Sequence, residues 1–205
     1  MDFMKTLNNE QVEIIRAITT LSETCGYEVE HTRHVTHLAL RIFDDLQDLH
    51  QLSQHHRFWL LYASLLHDIG WSEGWRGHHK TGLRIILETP MLPFDHKERL
   101  IIGSIVRYHR RALPDLKHDH YAALDIAERM VVDRLAAILR LADGLDRTHR
   151  RLVRDIACNF SDGKIMVQCV CRIPAHQEEE YGREKGALLE KVFKRKLIIG
   201  WQSSR

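Results

Sequence analysis

Apolar positions recur with a helical period from the start of the chain to about residue 150. Interruptions at Cys25-Gly26, Asp68 to Gly77, Thr89 to Asp95 and Ala112 to His120 divide this stretch into roughly six or seven helices of one bundle. A first helix over Glu10 to Leu21 sets Val12, Ile15 and Leu21 among charges. A second, over His31 to His50, carries Val35, Leu38, Ile42, Leu46 and Leu49. The third, ending at Leu66, is apolar almost all round through Phe58, Trp59, Leu60, Leu61, Tyr62, Ala63 and Leu65, the mark of a buried central helix. After Arg150 the period becomes two. Ile156, Cys158 and Phe160 alternate, Ser161-Asp162-Gly163 makes a turn, and Ile165, Val167, Cys169, Cys171 and Ile173 alternate again, which predicts a β-hairpin. A helix from about Gln177 to Lys194 follows, packing Leu188, Leu189, Val192 and Phe193, and Leu197-Ile198-Ile199 can return as a third strand. The pattern predicts a mainly α fold: a helical bundle over residues 1–152, with a small α+β extension, hairpin plus helix and strand, docked on it over 153–205.

Composition narrows the function classes. With 205 residues, 44% of them hydrophobic, the chain can build one sizeable core. Its 30 basic and 28 acidic side chains are interspersed and leave a net charge of +2, so no basic face for nucleic acid is expected. No apolar run approaches the roughly 20 residues needed to cross a bilayer. The four cysteines form no C-x-x-C pair and the chain opens with Met-Asp-Phe rather than a basic, then apolar, leader, so a reducing cytoplasm is the expected setting. Cys169 and Cys171 share one strand face, where core packing outweighs metal binding. The 15 histidines are the anomaly, although His55, His56, His118 and His120 sit in polar stretches and read as solvated surface groups.

Four residues are candidates for chemistry because they interrupt apolar helix faces. At about 100° per residue, His31 lies in the middle of the stripe of Val35, Leu38, Ile42 and Leu49, whereas His34 and His37 are about 60° and 120° off it. His67 and Asp68 terminate the most apolar helix and are followed by Ile69-Gly70, where a glycine can end the helix and allow close backbone approach. Asp143 falls on the stripe of Val132, Ala136 and Leu139. For any one of these residues a hydrogen-bonded core histidine or a helix-terminal aspartate is an ordinary alternative. Together, two imidazoles and two carboxylates aimed inward form a ligand set suited to Mn²⁺, Fe²⁺, Co²⁺, Zn²⁺ or Mg²⁺, ions that acidify bound water and polarise phosphoryl oxygens.

His109 lies on the Ile102/Ile105 stripe and is a candidate for substrate contact or a second ion; a core histidine capping its helix is the equal alternative. His78-His79-Lys80 follows a loop containing glycine and tryptophan and can hang over the site, with His79 a further candidate for a second ion and a solvated basic loop the alternative. Lys80, Arg107, Arg110, Arg111, Arg140 and Arg147 suit an anionic phosphate, with two or three expected to face the pocket and Lys80, Arg107, Arg110 and Arg147 the substrate-binding candidates. No P-loop and no G-x-S-x-G is present, so covalent catalysis has little support.

His31-x-x-x-Val35, Leu65-Leu66-His67-Asp68-Ile69-Gly70 and Leu141-Ala142-Asp143 resemble the HD superfamily of metal-dependent phosphohydrolases. A closer resemblance, over nearly the whole chain, is to the C-terminal region of exopolyphosphatase/guanosine pentaphosphate phosphatases. It is carried by His78-His79-Lys80, by Arg107-Tyr108-His109-Arg110-Arg111, by the run from Leu139 to Arg147, and by the hairpin and helix after Asp155. The resemblance implies the helical HD fold, ligand roles for His31, His67, Asp68 and Asp143, and phosphate-rich ligands. That family's polyphosphate and pentaphosphate hydrolysis is attributed to an actin-like N-terminal region that these residues lack, so that activity does not carry over. Thr81 stands where the family often has another histidine, which weighs against a full second metal site. The function expected is a metal-dependent phosphohydrolase acting on a nucleotide-like or polyphosphate-type ester or anhydride, with Asp68 and His109 as catalytic candidates. The alternative is a non-catalytic regulatory module that binds a small phosphorylated ligand. Self-association as a homodimer, through the surface that the actin-like region would cover, is a further expectation.

Overall fold

A computed structural model of the chain describes residues 7–203. Among them are nine helices: α1 (Asn9–Thr24), α2 (Val29–Asp45), α3 (Gln47–His50), α4 (Gln54–Leu66), α5 (His78–Glu88), α6 (His96–Tyr108), α7 (Asp119–Ala122), α8 (Ile126–Gly144) and α9 (His176–Phe193). Three strands, β1 (Val153–Ser161), β2 (Lys164–Cys171) and β3 (Lys196–Ser203), complete the fold. It is mainly α with a small sheet, as the periodicity predicts.

Helix α8 is buried almost throughout its second half, from Leu135 to Gly144, and packs against α2, α6 and α9. Its start is set by chemistry rather than apolar pattern. Asp125 accepts from Glu128 N and Glu128 accepts from Asp125 N in a reciprocal cap. The helix therefore opens at Ile126, which is 80% exposed and carries no apolar signal. The helix expected to run on to His50 instead stops at Asp45 and resumes as the short α3. His50 turns back on the chain, its Nε2 bonding to Phe43 O at 2.8 Å and its Nδ1 accepting from Leu52 N at 2.9 Å.

The sheet has the order β1-β2-β3, with β2 antiparallel to β1 and β3 parallel to β2. Parallel return requires a crossover, which α9 supplies. Ile165, Val167, Cys169 and Cys171 all face the buried side of β2. Burial raises the Cys158 thiol to about 12 and that of Cys169 further, as expected of packed rather than ligating sulfurs. Strand β1 is tied to α2 through Cys158 N donating to Asp45 at 2.8 Å and through His34 Nε2, 2.7 Å from Val153 O. No described helix is long and apolar enough to cross a membrane.

Two glycines set how closely the elements around the site approach. A Cβ on Gly70 would stand 2.0 Å from His78 O and 2.7 Å from Gly82 N, so the 3₁₀ turn Ile69–Glu73 meets α5 backbone to backbone. A Cβ on Gly144 would stand 2.9 Å from Tyr181 O and 3.2 Å from Lys185 Cβ. Its absence lets α9 lie directly on the end of α8.

Candidate metal centre

Five helix ends converge at one place. The first turn of α2 supplies His31, the end of α4 supplies His67 and Asp68, the start of α5 supplies His78, the end of α6 supplies His109, and the last turn of α8 supplies Asp143. His31 and His67 are fully buried, His78 and His109 nearly so, and the Asp68 and Asp143 side chains are each 12% exposed. These residues form two groups of facing ligand atoms: His31, His67 and Asp143, and Asp68, His78 and His109. Asp68 joins them. Its Oδ2 lies 3.4 Å from His67 Nε2 and 3.7 Å from His31 Nε2, while its Oδ1 lies 3.1 Å from His78 Nε2 and 3.7 Å from His109 Nε2.

The orientation of all four imidazoles follows from the partners of their other nitrogen. His67 Nδ1 is 2.8 Å from Ser64 O, His78 Nδ1 is 3.1 Å from Trp75 O, and His109 Nδ1 is 2.7 Å from Val106 O. A carbonyl can only accept, so in each ring Nδ1 carries a proton and Nε2 is turned to the centre; in His67 and His109, where burial favours the neutral ring, Nε2 is left with a lone pair. His31 Nδ1 is held instead by the buried carboxylate of Asp146, at 2.9 Å. The result is two close Nε2 pairs, His31/His67 and His78/His109, each at 3.3 Å. Two lone pairs at that distance repel unless a proton or a cation lies between them.

Electrostatics divide the labour. Burial alone would lower the pKa of His31, but the carboxylates of Asp143, Asp146 and Asp68 outweigh it and raise it to about 10. Burial lowers His67, and drives His109 well below the ordinary histidine range, so both are neutral. For Asp68 burial is opposed by His67, His78 and His109; for Asp143 it is opposed by Lys185 and His31. Both carboxyls end well below their usual range and stay ionised. Lys185 of α9 forms a short ion pair with Asp143 Oδ2 across the Gly144 contact.

A cleft of about 480 Å³ opens onto these ligands, lined by Trp71, Trp75, Arg110, Arg111, Arg147 and Lys185 among others. Arg110 and Arg147, two of the candidate phosphate-binding residues, thus both line the cleft. Arg110 Nη1 is 3.3 Å from His78 Nε2, and Arg147 lies over the Tyr181 ring, 4.6 Å from its centroid. Arg140 also reaches the cleft, but its guanidinium is used on the carbonyls of Tyr108, Arg111 and Ala112. Lys80, Arg107 and His79 are turned away from the ligands into a neighbouring cavity. His78, not His79, meets Asp68 and His109, because one residue along a helix rotates a side chain by about 100°. Thr81 belongs to neither group of ligand atoms.

Three contributors escaped the sequence reading. Asp146 has only a partial signal, three residues beyond Asp143 and about 60° from it at about 100° per residue, and Lys185 and His149 have none. His149 stacks on His31 with ring centroids 3.7 Å apart and is held by Glu28 at 2.6 Å.

A family model described as Ppx/GppA phosphatase, domain III, matches residues 15–168, about three quarters of the chain. The chain belongs to that family. Within this domain III, the match spans every converging ligand from His31 to Asp143 and ends inside β2. Tyr181 and Lys185, which close the α9 side of the cleft, lie beyond the matched residues.

Proposed function

We propose that this domain III is an HD-type, metal-dependent phosphohydrolase acting on a nucleotide-like or polyphosphate-type phosphate ester or anhydride. The observation that carries the reading is the pair of facing Nε2 atoms in each ligand group, with one Asp68 oxygen turned to each. The donor set fits a divalent ion such as Mn²⁺, Fe²⁺, Co²⁺, Zn²⁺ or Mg²⁺. His31, His67, Asp143 and Asp68 would hold one, and Asp68, His78 and His109 a second. When bound, such ions supply Lewis acidity toward a phosphoryl oxygen and lower the pKa of water.

The chain's own groups do the rest. Asp146 keeps His31 turned inward, and the Ser64, Trp75 and Val106 carbonyls do the same for the other imidazoles. Arg110, Arg147 and Lys185 line the approach and match a phosphate by charge. Asp68 and His109 face the place where the two groups meet, which makes them the residues assigned to the reacting centre. Metal content of the purified chain, compared with Asp68→Ala, tests the ligand assignment. One or two equivalents that disappear in the variant support it, and phosphate release from nucleotides, alarmones and short polyphosphates then tests turnover. Absence of metal in both proteins after Mn²⁺, Fe²⁺ and Zn²⁺ are supplied would sink the metal assignment.

One observation favours a second reading. Lys185 already neutralises Asp143, as a resident cation would. A non-catalytic module that binds a phosphorylated ligand without an ion would keep this pair intact, and binding of such a ligand without turnover in metal-loaded protein would select it.

A further inference from the structure

Next to the cleft, and sharing Trp75 and Arg111 with it, lies a second cavity of about 500 Å³. Arg76, Lys80, Arg107, Arg111 and His79 line it, and no acidic residue does. Surface cations in such numbers are usually solvated and say little. Two buried side chains say more. Arg107 is 6% exposed, stacks distantly on Tyr108, and forms no hydrogen bond or ion pair among the described residues; its buried Nη1 has no partner. His79 is 4% exposed and its buried Nδ1 is likewise unpartnered. A guanidinium shut away from water without a counter-charge is costly, and so is an orphaned ring nitrogen.

The backbone adds to the imbalance. Helix α5 begins at this cavity, with Gly77 as an N-cap that has no side chain to offer, and its first turn reads His78-His79-Lys80 with no acid. Positive side chains at the positive end of a helix oppose the macrodipole. Helices α1, α6 and α8 show the usual solution, with Asn8, Asp95 and Asp125 accepting from the first turn. One feature would relieve the Arg107 charge, the His79 nitrogen and the open helix end together: an oxyanion carrying more than one negative charge.

We propose that this cavity is a second anion-binding site that takes a phosphate group, with Arg107 and His79 as buried donors and Lys80 and Arg111 at its mouth. The phosphate has two conceivable sources. It is either a distal group of the molecule whose reacting phosphate occupies the cleft, reached across the shared Arg111, or free phosphate held independently. Only the first source rests on the phosphohydrolase reading; the site itself does not.

Calorimetric titration of inorganic phosphate and of tripolyphosphate into the full chain, stripped of metal by chelation, tests the site apart from any metal. Both anions should bind, with Arg107→Gln weakening each by about tenfold or more and Lys80→Ala by a few-fold. Lys80 is exposed, so its variant decides the matter should Arg107→Gln fail to fold, as circular dichroism would reveal. Repeating the titration with Mn²⁺ restored separates the sources. Tighter tripolyphosphate binding that is still sensitive to Lys80→Ala means one molecule spans both cavities; unchanged tripolyphosphate binding means free phosphate is the occupant. The site is refuted if neither anion binds the stripped chain, or if Lys80→Ala and a folded Arg107→Gln both leave the constants within about twofold.

Discussion

The two ligand groups differ in what stands behind them. Behind His31 is a carboxylate, Asp146, buried and fixed in turn by Arg151 N at 2.7 Å. Behind His78 and His109 are only peptide carbonyls, and Arg110 crowds His78 from the front. A carboxylate makes the imidazole it orients more basic and a better ligand, whereas a carbonyl orients without adding charge. On the metal-centre reading proposed above, the His31/His67/Asp143 group would therefore grip an ion, and the Asp68/His78/His109 group would hold one loosely or exchange it with substrate. Two groups of the same ligand types would then differ in grip through what lies behind them.

The sharpest way to break this asymmetry is to remove one imidazole from each side. His67→Gln should abolish the tightly held ion and phosphate release with it, while His109→Gln should leave one tight ion and remove only the weaker one, as read by metal content after dialysis. Next in size, Asp146→Asn should weaken the tight ion about 10- to 100-fold and leave the second unchanged, measured by competition with a chromophoric chelator. Asp146, after Asp143, also holds a proton on His31. With the His31 pKa at about 10, the ring is protonated at neutral pH, so an ion must displace that proton and its apparent affinity should rise with pH up to that value. Titrations in two buffers of different ionisation enthalpy should show close to one proton released at pH 7, and less in Asp146→Asn.

Lys185→Ala frees Asp143 from its resident cation. It should tighten the first ion by about fivefold while slowing any phosphate release, since the same ammonium lines the cleft. The smallest effect is expected of Arg110→Gln, which should tighten the second ion about two- to threefold and leave the first alone. A symmetric response of both ions to any of these single changes would overturn the comparison.

Much of the architecture is legible in the periodicity of the sequence. The interruption of apolar stripes by His31 and Asp143 points both inward, and in the fold His31 is fully buried and Asp143 nearly so. The hairpin and its following helix are equally plain in the alternation after Arg150. What periodicity does not hold is any term for neighbours distant in sequence. Lys185 sits on a polar stretch of α9 and meets Asp143 only because Gly144 lets two helices touch. The choice of His78 over His79 depends on the angle at which α5 starts, which the preceding turn sets and no local pattern records. Arg107 and Lys80 looked like partners of Arg110, yet they line a different cavity: Arg107 lies in the last turn of α6 and Arg110 beyond its end, and the start of α5, which carries Lys80, adjoins both cavities.

That helix end is placed by Gly70. Where its hydrogen atom lies, a methyl group would collide with the His78 carbonyl. The gap between Asp68, two residues before it, and His78 is therefore fixed by main chain alone, which no rotamer change can adjust. Gly70 works as a shim: the smallest residue sets the spacing between the two ligand groups, and thickening it by one carbon would pull the two halves of the candidate site out of register while leaving every candidate ligand in the sequence intact.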